Sequence, residues 1–189
     1  ISAHAGGLDD TDFAGTLSNL EILKLGQGDN LVSLGTNAEV AGIRTVIGNS
    51  GNDTLDVSDY TLSDEGVELV GGDGDDTLIG GQGEDYLDGG LGNDTLKGTD
   101  VNQDTFVISS GQDIVEDLNT NDILLVASGA SVEATVLFDF IATGDTANEG
   151  SATILLGTAS EVDLSLAGGP NGYTVEAGDT ASPLTGAAF

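Results

Sequence analysis

The residues that can do chemistry here are aspartates set among glycines at fixed intervals. Residues 71–97 read GGDGDDTLI, GGQGEDYLD and GGLGNDTLK, three nine-residue units in tandem. Each has Gly at its first, second and fourth places, Asp at its sixth and Leu at its eighth. Glycine reaches the positive-φ conformations of a tight turn and lets backbone carbonyls approach an ion. Calcium is a hard cation that takes six to eight oxygens, mixing carboxylates with backbone carbonyls. A glycine-rich hexapeptide closed by Asp supplies both kinds of oxygen. The pattern therefore points to cation binding rather than to bond making.

Catalytic constellations are missing from the sequence. The single histidine is His4, near the start of the chain, and neither an HExxH zinc motif nor a GxSxG elbow occurs. Carboxylate pairs suited to glycoside hydrolysis are plentiful, but cation ligation explains them better. Tyr60, Tyr86, Tyr173 and five Phe are few for a sugar platform. No catalytic residue is assigned, and a non-enzymatic protein is expected. Thr54, Thr77, Thr95 and Thr105 hold the outward seventh place of their units, as an ice-binding array would. Tyr86 interrupts that row, and β propensity explains the threonines.

The elements that must position these aspartates are short strands. After each turn, three residues alternate outward, inward, outward, and Leu78, Leu87 and Leu96 point inward. One such unit has nothing to bury its leucine against, so units must stack. The nonapeptide, GGxGxDxUx, resembles the calcium-binding repeat of the RTX (repeats-in-toxin) proteins, a parallel β-helix repeat. The resemblance implies an all-β fold: a calcium-bound parallel β-roll or β-solenoid, with two nonapeptides per coil and ions between turns stacked on one side. A C-terminal β cap is expected to close it.

Carried over residue by residue, the implied ligands are the carboxylates of Asp76, Asp85 and Asp94. With them come the carbonyls of Gly71, Gly72, Asp73 and Gly74, of Gly80, Gly81, Gln82 and Gly83, and of Gly89, Gly90, Leu91 and Gly92. A fourth good repeat, residues 48–56, adds Gly48, Asn49, Ser50, Gly51 and Asp53, with Asn at the second place. A fifth unit, residues 98–107, is one residue too long and lacks the fourth-place Gly, yet Asp104 and Phe106 keep their roles. Residues 108–126 resemble the segment that closes the roll in secreted RTX metalloproteases and lipases, with Asp113, Asp117 and Asp122 at the acidic places. For these three, a further ion site and plain surface acids are both open readings. Residues 26–32 fit places two to eight with Asn30 where Asp belongs, a degenerate turn that is ion-free or weakly binding.

Electrostatics makes an ion necessary. Stacked turns lie one strand spacing apart, roughly 4.8 Å. Two ionised aspartates at that distance repel by about 3–4 kcal/mol at an effective dielectric near 20. Several such pairs rival the whole stability of a small domain, about 5–15 kcal/mol. Without calcium the repeats are expected to be largely disordered.

Composition agrees. The 189 residues carry 33 acidic side chains against three basic ones, Lys24, Arg44 and Lys97, for a formal charge of −30. That balance excludes nucleic-acid binding through phosphates and leaves glycan or anionic-membrane contact only through bridging calcium. There is no cysteine and no apolar run long enough for a transmembrane helix. The start at Ile1 without any Met reads as a processed product or a fragment. RTX proteins are typically exported by type I secretion with an uncleaved C-terminal signal, and the ending Gly186-Ala187-Ala188-Phe189 is compatible with one.

Three regions are expected: 1–19 as an N-terminal arm or cap, 20–126 as the solenoid and 127–189 as a C-terminal β capping and assembly region. Val32, Leu55 and Leu78 are 23 residues apart, and Ile43 to Val67 is 24. The early coils are therefore wide, with strands at 20–25 and 43–47 and long loops at 34–42 and 58–66. From residue 71 the coil tightens to 18. Turns 26–30, 48–53, 71–76 and 89–94 should stack on one side, and 80–85 with 98–104 on the other. Candidate strands 132–141, 152–156, 162–166 and 173–176, separated by GD, GG and NG turns, suggest an antiparallel cap. The function expected is a secreted, extracellular or cell-surface calcium-binding structural protein that self-assembles into a layer or filament. The alternative is a passive C-terminal folding and secretion module of a larger enzyme or toxin.

Overall fold

Three-residue strands broken by glycine turns have no way to form a helix or a hairpin of useful length, and they wind into coils. The computed structural model describes residues 7–15, 18–61, 66–99, 102–157 and 161–177. Each coil between the two ends gives one strand to each of two sheets. The longer sheet runs in the order Leu8–Asp9, Leu31–Ser33, Thr54–Asp56, Thr77–Ile79, Thr95–Lys97, Gln112–Leu118, Ser131–Val136, Ser151–Leu156 and Tyr173–Ala177. The second runs from Ile22–Lys24 through Thr45–Ser50, Glu68–Asp73, Tyr86–Leu91, Thr105–Ile108 and Ile123–Val126 to Ala147–Asn148. Pairing is parallel throughout these sheets. The chain is a parallel β-solenoid, as its repeats imply.

The inward residues form two facing spines. Val32, Leu55, Leu78, Leu96, Val115, Ala134 and Ile154 are rungs of the longer sheet. Val46, Leu69, Leu87, Phe106 and Leu124 are rungs of the second. Each of these is at most 1% exposed. A fully buried side chain of this size contributes about 1.5–3 kcal/mol, and each coil has only a few of them. Stability therefore accumulates by stacking, one coil on the next.

The wide early coils are real, and their register is 23 residues: Val32 pairs with Leu55, and Leu55 with Leu78. The strand expected at 43–47 lies at Thr45–Ser50, with Thr45 opposite Glu68. Ile43 and Val67 are therefore not a rung. The expected loop 34–42 contains a short helix, Thr36–Ala41. Buried Glu39 on that helix accepts from the Thr61 amide at 2.8 Å, and the Arg44 guanidinium lies 6.0 Å from the Tyr60 ring centroid. These contacts tie the two wide loops together.

Residues 7–15 are a docked cap rather than an arm. Leu8–Asp9 pairs with Leu31–Ser33, Phe13 is buried, and the Asp10 carboxylate accepts from the amides of Gly35 and Ala38 at 2.9 Å each. His4 and the ending 186–189 lie outside the described residues.

The antiparallel arrangement expected past residue 131 is not what forms. Ser131–Val136, Ser151–Leu156 and Tyr173–Ala177 pair parallel and extend the longer sheet. The strand expected at 132–141 divides into Ser131–Val136 and Phe140–Ile141, and the latter pairs in parallel with Val162–Asp163. Turn residues such as GD and NG serve a solenoid corner as well as a hairpin. Spacing decides: Ser131 pairs with a residue 20 positions on, too far for a hairpin loop of two to five residues. Among the described residues no helix is long and apolar enough to cross a membrane.

Candidate metal centre

Parallel stacking places the sixth-place side chains in vertical rows at the corners. In the first row, the Asn30 amide donates to Asp53 Oδ1 at 2.7 Å, the Asp53 amide to Asp76 Oδ1 at 2.7 Å, and the Asp76 amide to Asp94 Oδ1 at 2.8 Å. The Asp94 amide donates to Asp113 Oδ1 at 2.9 Å. At the opposite corner, Val67 donates to Asp85, Asp85 to Asp104 and Asp104 to Asp122, at 2.8, 2.9 and 3.0 Å. The turns stack as their spacing predicts. One oxygen of each carboxylate thus closes the backbone of the preceding coil.

The other oxygen is the informative one. Asp53 Oδ2, Asp76 Oδ2 and Asp94 Oδ2 are buried and accept no hydrogen bond from the protein. Their residues are 1–2% exposed. A buried ionised carboxylate without a full set of partners costs several kcal/mol. Desolvation accordingly pushes Asp76 up to about 6, against the lowering effect of the Asp53 amide, with Asp94, Asp53 and Asp75 adding repulsion. Burial likewise raises Asp94 and brings Asp113 to about 7.

The glycines define what these oxygens face. A Cβ at Gly48 would collide with Asp53 Oδ2 and the Gly71 carbonyl, and one at Gly71 with Asp76 Oδ2 and the Gly89 carbonyl. A Cβ at Gly89 would strike Asp94 Oδ2. Each such space is bordered by acceptors. At Gly72 the chain takes φ +119° with the Asn49 carbonyl where a Cβ would go, so only glycine fits. Asn49 holds the same place one coil earlier at φ +78°, a conformation asparagine tolerates. Among the described residues no three Asp, Glu or His side chains converge on one point. A cation there must draw on backbone carbonyls, as the glycine pattern provides.

A family model for the RTX calcium-binding nonapeptide repeat matches four copies, at residues 45–59 and 68–96. The chain carries RTX calcium-binding repeats. No curated protein and no solved structure matches it.

The donor set fits the ion that RTX repeats bind. The carboxylates of Asp53, Asp76 and Asp94 would hold it together with the carbonyls of Gly48, Gly71 and Gly89, and the ion would neutralise oxygens that the protein leaves bare. At the opposite corner of the RTX block Asp85 and the carbonyls beside it are more occupied. Asp85 Oδ2 accepts from the Gly81 amide at 2.8 Å, and the Thr99 hydroxyl donates to the carbonyls of Gly81 and Gly80, at 2.8 and 3.3 Å. Gly80, Gln82 and Gly83 lie in that turn. Asp122 has both oxygens on backbone amides, from Asp104 and, at 2.7 Å, from Asn119. Asp73, Gly74, Ser50, Gly51, Gly90, Leu91 and Gly92 lie in the stacked first-row turns, with Asn49, Gly72 and Gly90 aligned and Ser50, Asp73 and Leu91 aligned.

Two features escaped the sequence reading. The fifth-place side chains form a second, outer ladder: Asn52 donates its amide to Asp29, Asp75 to Asn52, Asn93 to Asp75 and Gln112 to Asn93, at 2.9–3.1 Å. The recurrence of Asp or Asn at 29, 52, 75 and 93 was its signal. Asp117 is neither a bare acid nor part of the rows: it accepts from the Gly98 and Thr99 amides at 2.9 and 2.7 Å, and burial raises its pKa. The four threonines also divide. Thr54, Thr77 and Thr95 align in the longer sheet and are followed by Ile114, whereas Thr105 lies in the second sheet beside Tyr86.

Proposed function

We propose that this chain is a non-catalytic, extracellular structural protein whose β-roll completes its folding when it binds calcium and which then self-associates into a surface layer or filament. The observation that carries the calcium step is the row of buried, unsatisfied oxygens on Asp53, Asp76 and Asp94. Extracellular sites of this class bind at about 10⁻⁴–10⁻³ M, so the sites would stay empty at cytosolic calcium and fill outside the cell. Self-association is supported by the end of the second sheet. Among the described residues Ile22–Lys24 pairs on one side only, with Thr45–Ser50, and Ile22 is 56% exposed. An unpaired strand edge is a natural joint for another chain. Any glycan contact would run through calcium.

A second reading, a passive folding and secretion module of a larger secreted enzyme or toxin, is favoured by the docked cap. Leu8–Asp9 covers the end of the longer sheet, as suits a unit that stays single. Electron microscopy and sedimentation with and without millimolar calcium separate the two. Ordered sheets or fibres that chelator dissolves support the first. A strictly monomeric species at high concentration supports the second.

A further inference from the structure

The acid rows stop short of both ends of the solenoid, and what replaces them is a neutral donor or an apolar side chain. At the N-terminal end the sixth place holds Asn30. Its Nδ2 donates to the Gly28 carbonyl at 2.6 Å, the Gly26 carbonyl at 3.4 Å and Asp53 Oδ1 at 2.8 Å. The carbonyls that a cation would collect in a regular turn are here satisfied by an amide of the chain itself. One coil on, Asn49 Nδ2 donates to the Leu25 carbonyl at 2.6 Å.

The C-terminal end repeats the device with different residues. Past Asp113 the same register position holds Val132 and then Ala152, both buried. Asn148 Nδ2 donates to the Gly172 carbonyl at 2.7 Å, and its Oδ1 accepts from the Gly150 amide at 3.0 Å. Asn171 Nδ2 donates to the carbonyls of Glu149 and Gly150 at 2.8 Å each. Acidic density follows the same division: seven acids fall in residues 71–94 and four in residues 131–157, so repulsion is concentrated in the middle. The end coils also bury apolar side chains of their own, Phe13 and Leu34 at one end and Phe140 and Ile154 at the other.

We propose that the asparagine-closed coils at both ends hold their fold without calcium and that only the middle coils require it. Removing the ion then opens the solenoid from its centre while two folded ends persist, and each end offers a preformed sheet edge on which the middle re-forms. The inference rests on the calcium-binding reading of the repeats.

Hydrogen exchange of the full chain, with calcium and after chelation, tests it segment by segment. Protection at 68–96 should be lost on chelation, while protection at 31–47 and 131–156 persists. Uniform loss, or uniform retention at every segment, overturns the inference. Uniform loss leaves the calcium reading standing, whereas no response to calcium at any segment removes both. Asn30→Asp is the decisive variant, because it replaces the donor with a carboxylate facing Asp53. Calorimetry should count one more calcium, and protection at 31–47 should become calcium-dependent. An unchanged count together with calcium-independent protection overturns the role of Asn30. Asn171→Asp makes the same test at the other end and covers the case in which the Asn30 variant fails to fold.

Discussion

The Asp76 amide donates to Asp94 Oδ1 at 2.8 Å, while Asp76 Oδ1 accepts from the amide of Asp53 at 2.7 Å. Each aspartate is therefore half scaffold and half ligand: Oδ1 ties coil to coil, and Oδ2 is left for a cation. The two halves can be separated. Asp76→Asn keeps an acceptor for the Asp53 amide and removes the charge. We expect it to lower the calcium count while making the calcium-free coil more stable. Asp76→Ala also strands a buried amide, at a cost of about 1–3 kcal/mol, and should destabilise the chain with or without the ion. Calorimetric ion counts paired with thermal unfolding in both conditions check this. Equal behaviour of the two variants contradicts the division of roles.

Glycine substitutions should sort by what an added Cβ meets, even within one row of turns. Gly71→Ala drives a methyl into Asp76 Oδ2 and the Gly89 carbonyl, whereas a Cβ at Gly26 meets nothing within 4 Å. The first should abolish binding at its corner and cost several kcal/mol as a buried overpacking change. The second should stay within about 0.5 kcal/mol of the parent. Thermal unfolding in saturating calcium gives both numbers.

Acid should substitute for calcium in part. Burial raises Asp76 to about 6 and Asp113 to about 7 in the ion-free fold, above the ordinary value of 3.8. The ion-free fold thus binds these protons more tightly than the unfolded chain does. Its stability is greatest at low pH and falls as pH rises through about 6–7. Circular dichroism of dialysed, calcium-free protein should show more β structure at pH 5 than at pH 8, and calcium affinity should weaken over the same descent. More β structure at the higher pH contradicts this.

Asp117 should be structural. Its carboxylate accepts from both Gly98 and Thr99, so Asp117→Ala leaves two amides without their acceptor. We expect a loss of about 1–3 kcal/mol with the calcium count unchanged. A lower count would make Asp117 a ligand.

Most of the solenoid was legible because a period survives translation into structure. Leu78, Leu87 and Leu96 announced the spine, and the 23-residue interval from Val32 to Leu55 announced the wide coils. Stacking order at the corners followed from those intervals alone. Past residue 131 the legibility failed for a physical reason. Val132 and Ala152 carry no acid to mark a corner, and the spacing there drifts to 20 and 21 residues, so the turn residues were all that remained. They fix where the chain bends but not which strand it next meets. The ladder at Asp29, Asn52, Asp75 and Asn93 was visible in composition, but its meaning needed the register. The division of each carboxylate into a bonded and a bare oxygen needed coordinates altogether.

The most direct measurement is an anomalous difference map from crystals grown in millimolar calcium. We expect peaks beside Oδ2 of Asp53, Asp76 and Asp94, in the spaces bordered by the Gly48, Gly71 and Gly89 backbones. Saturating calcium with no anomalous density at those three oxygens would contradict the account.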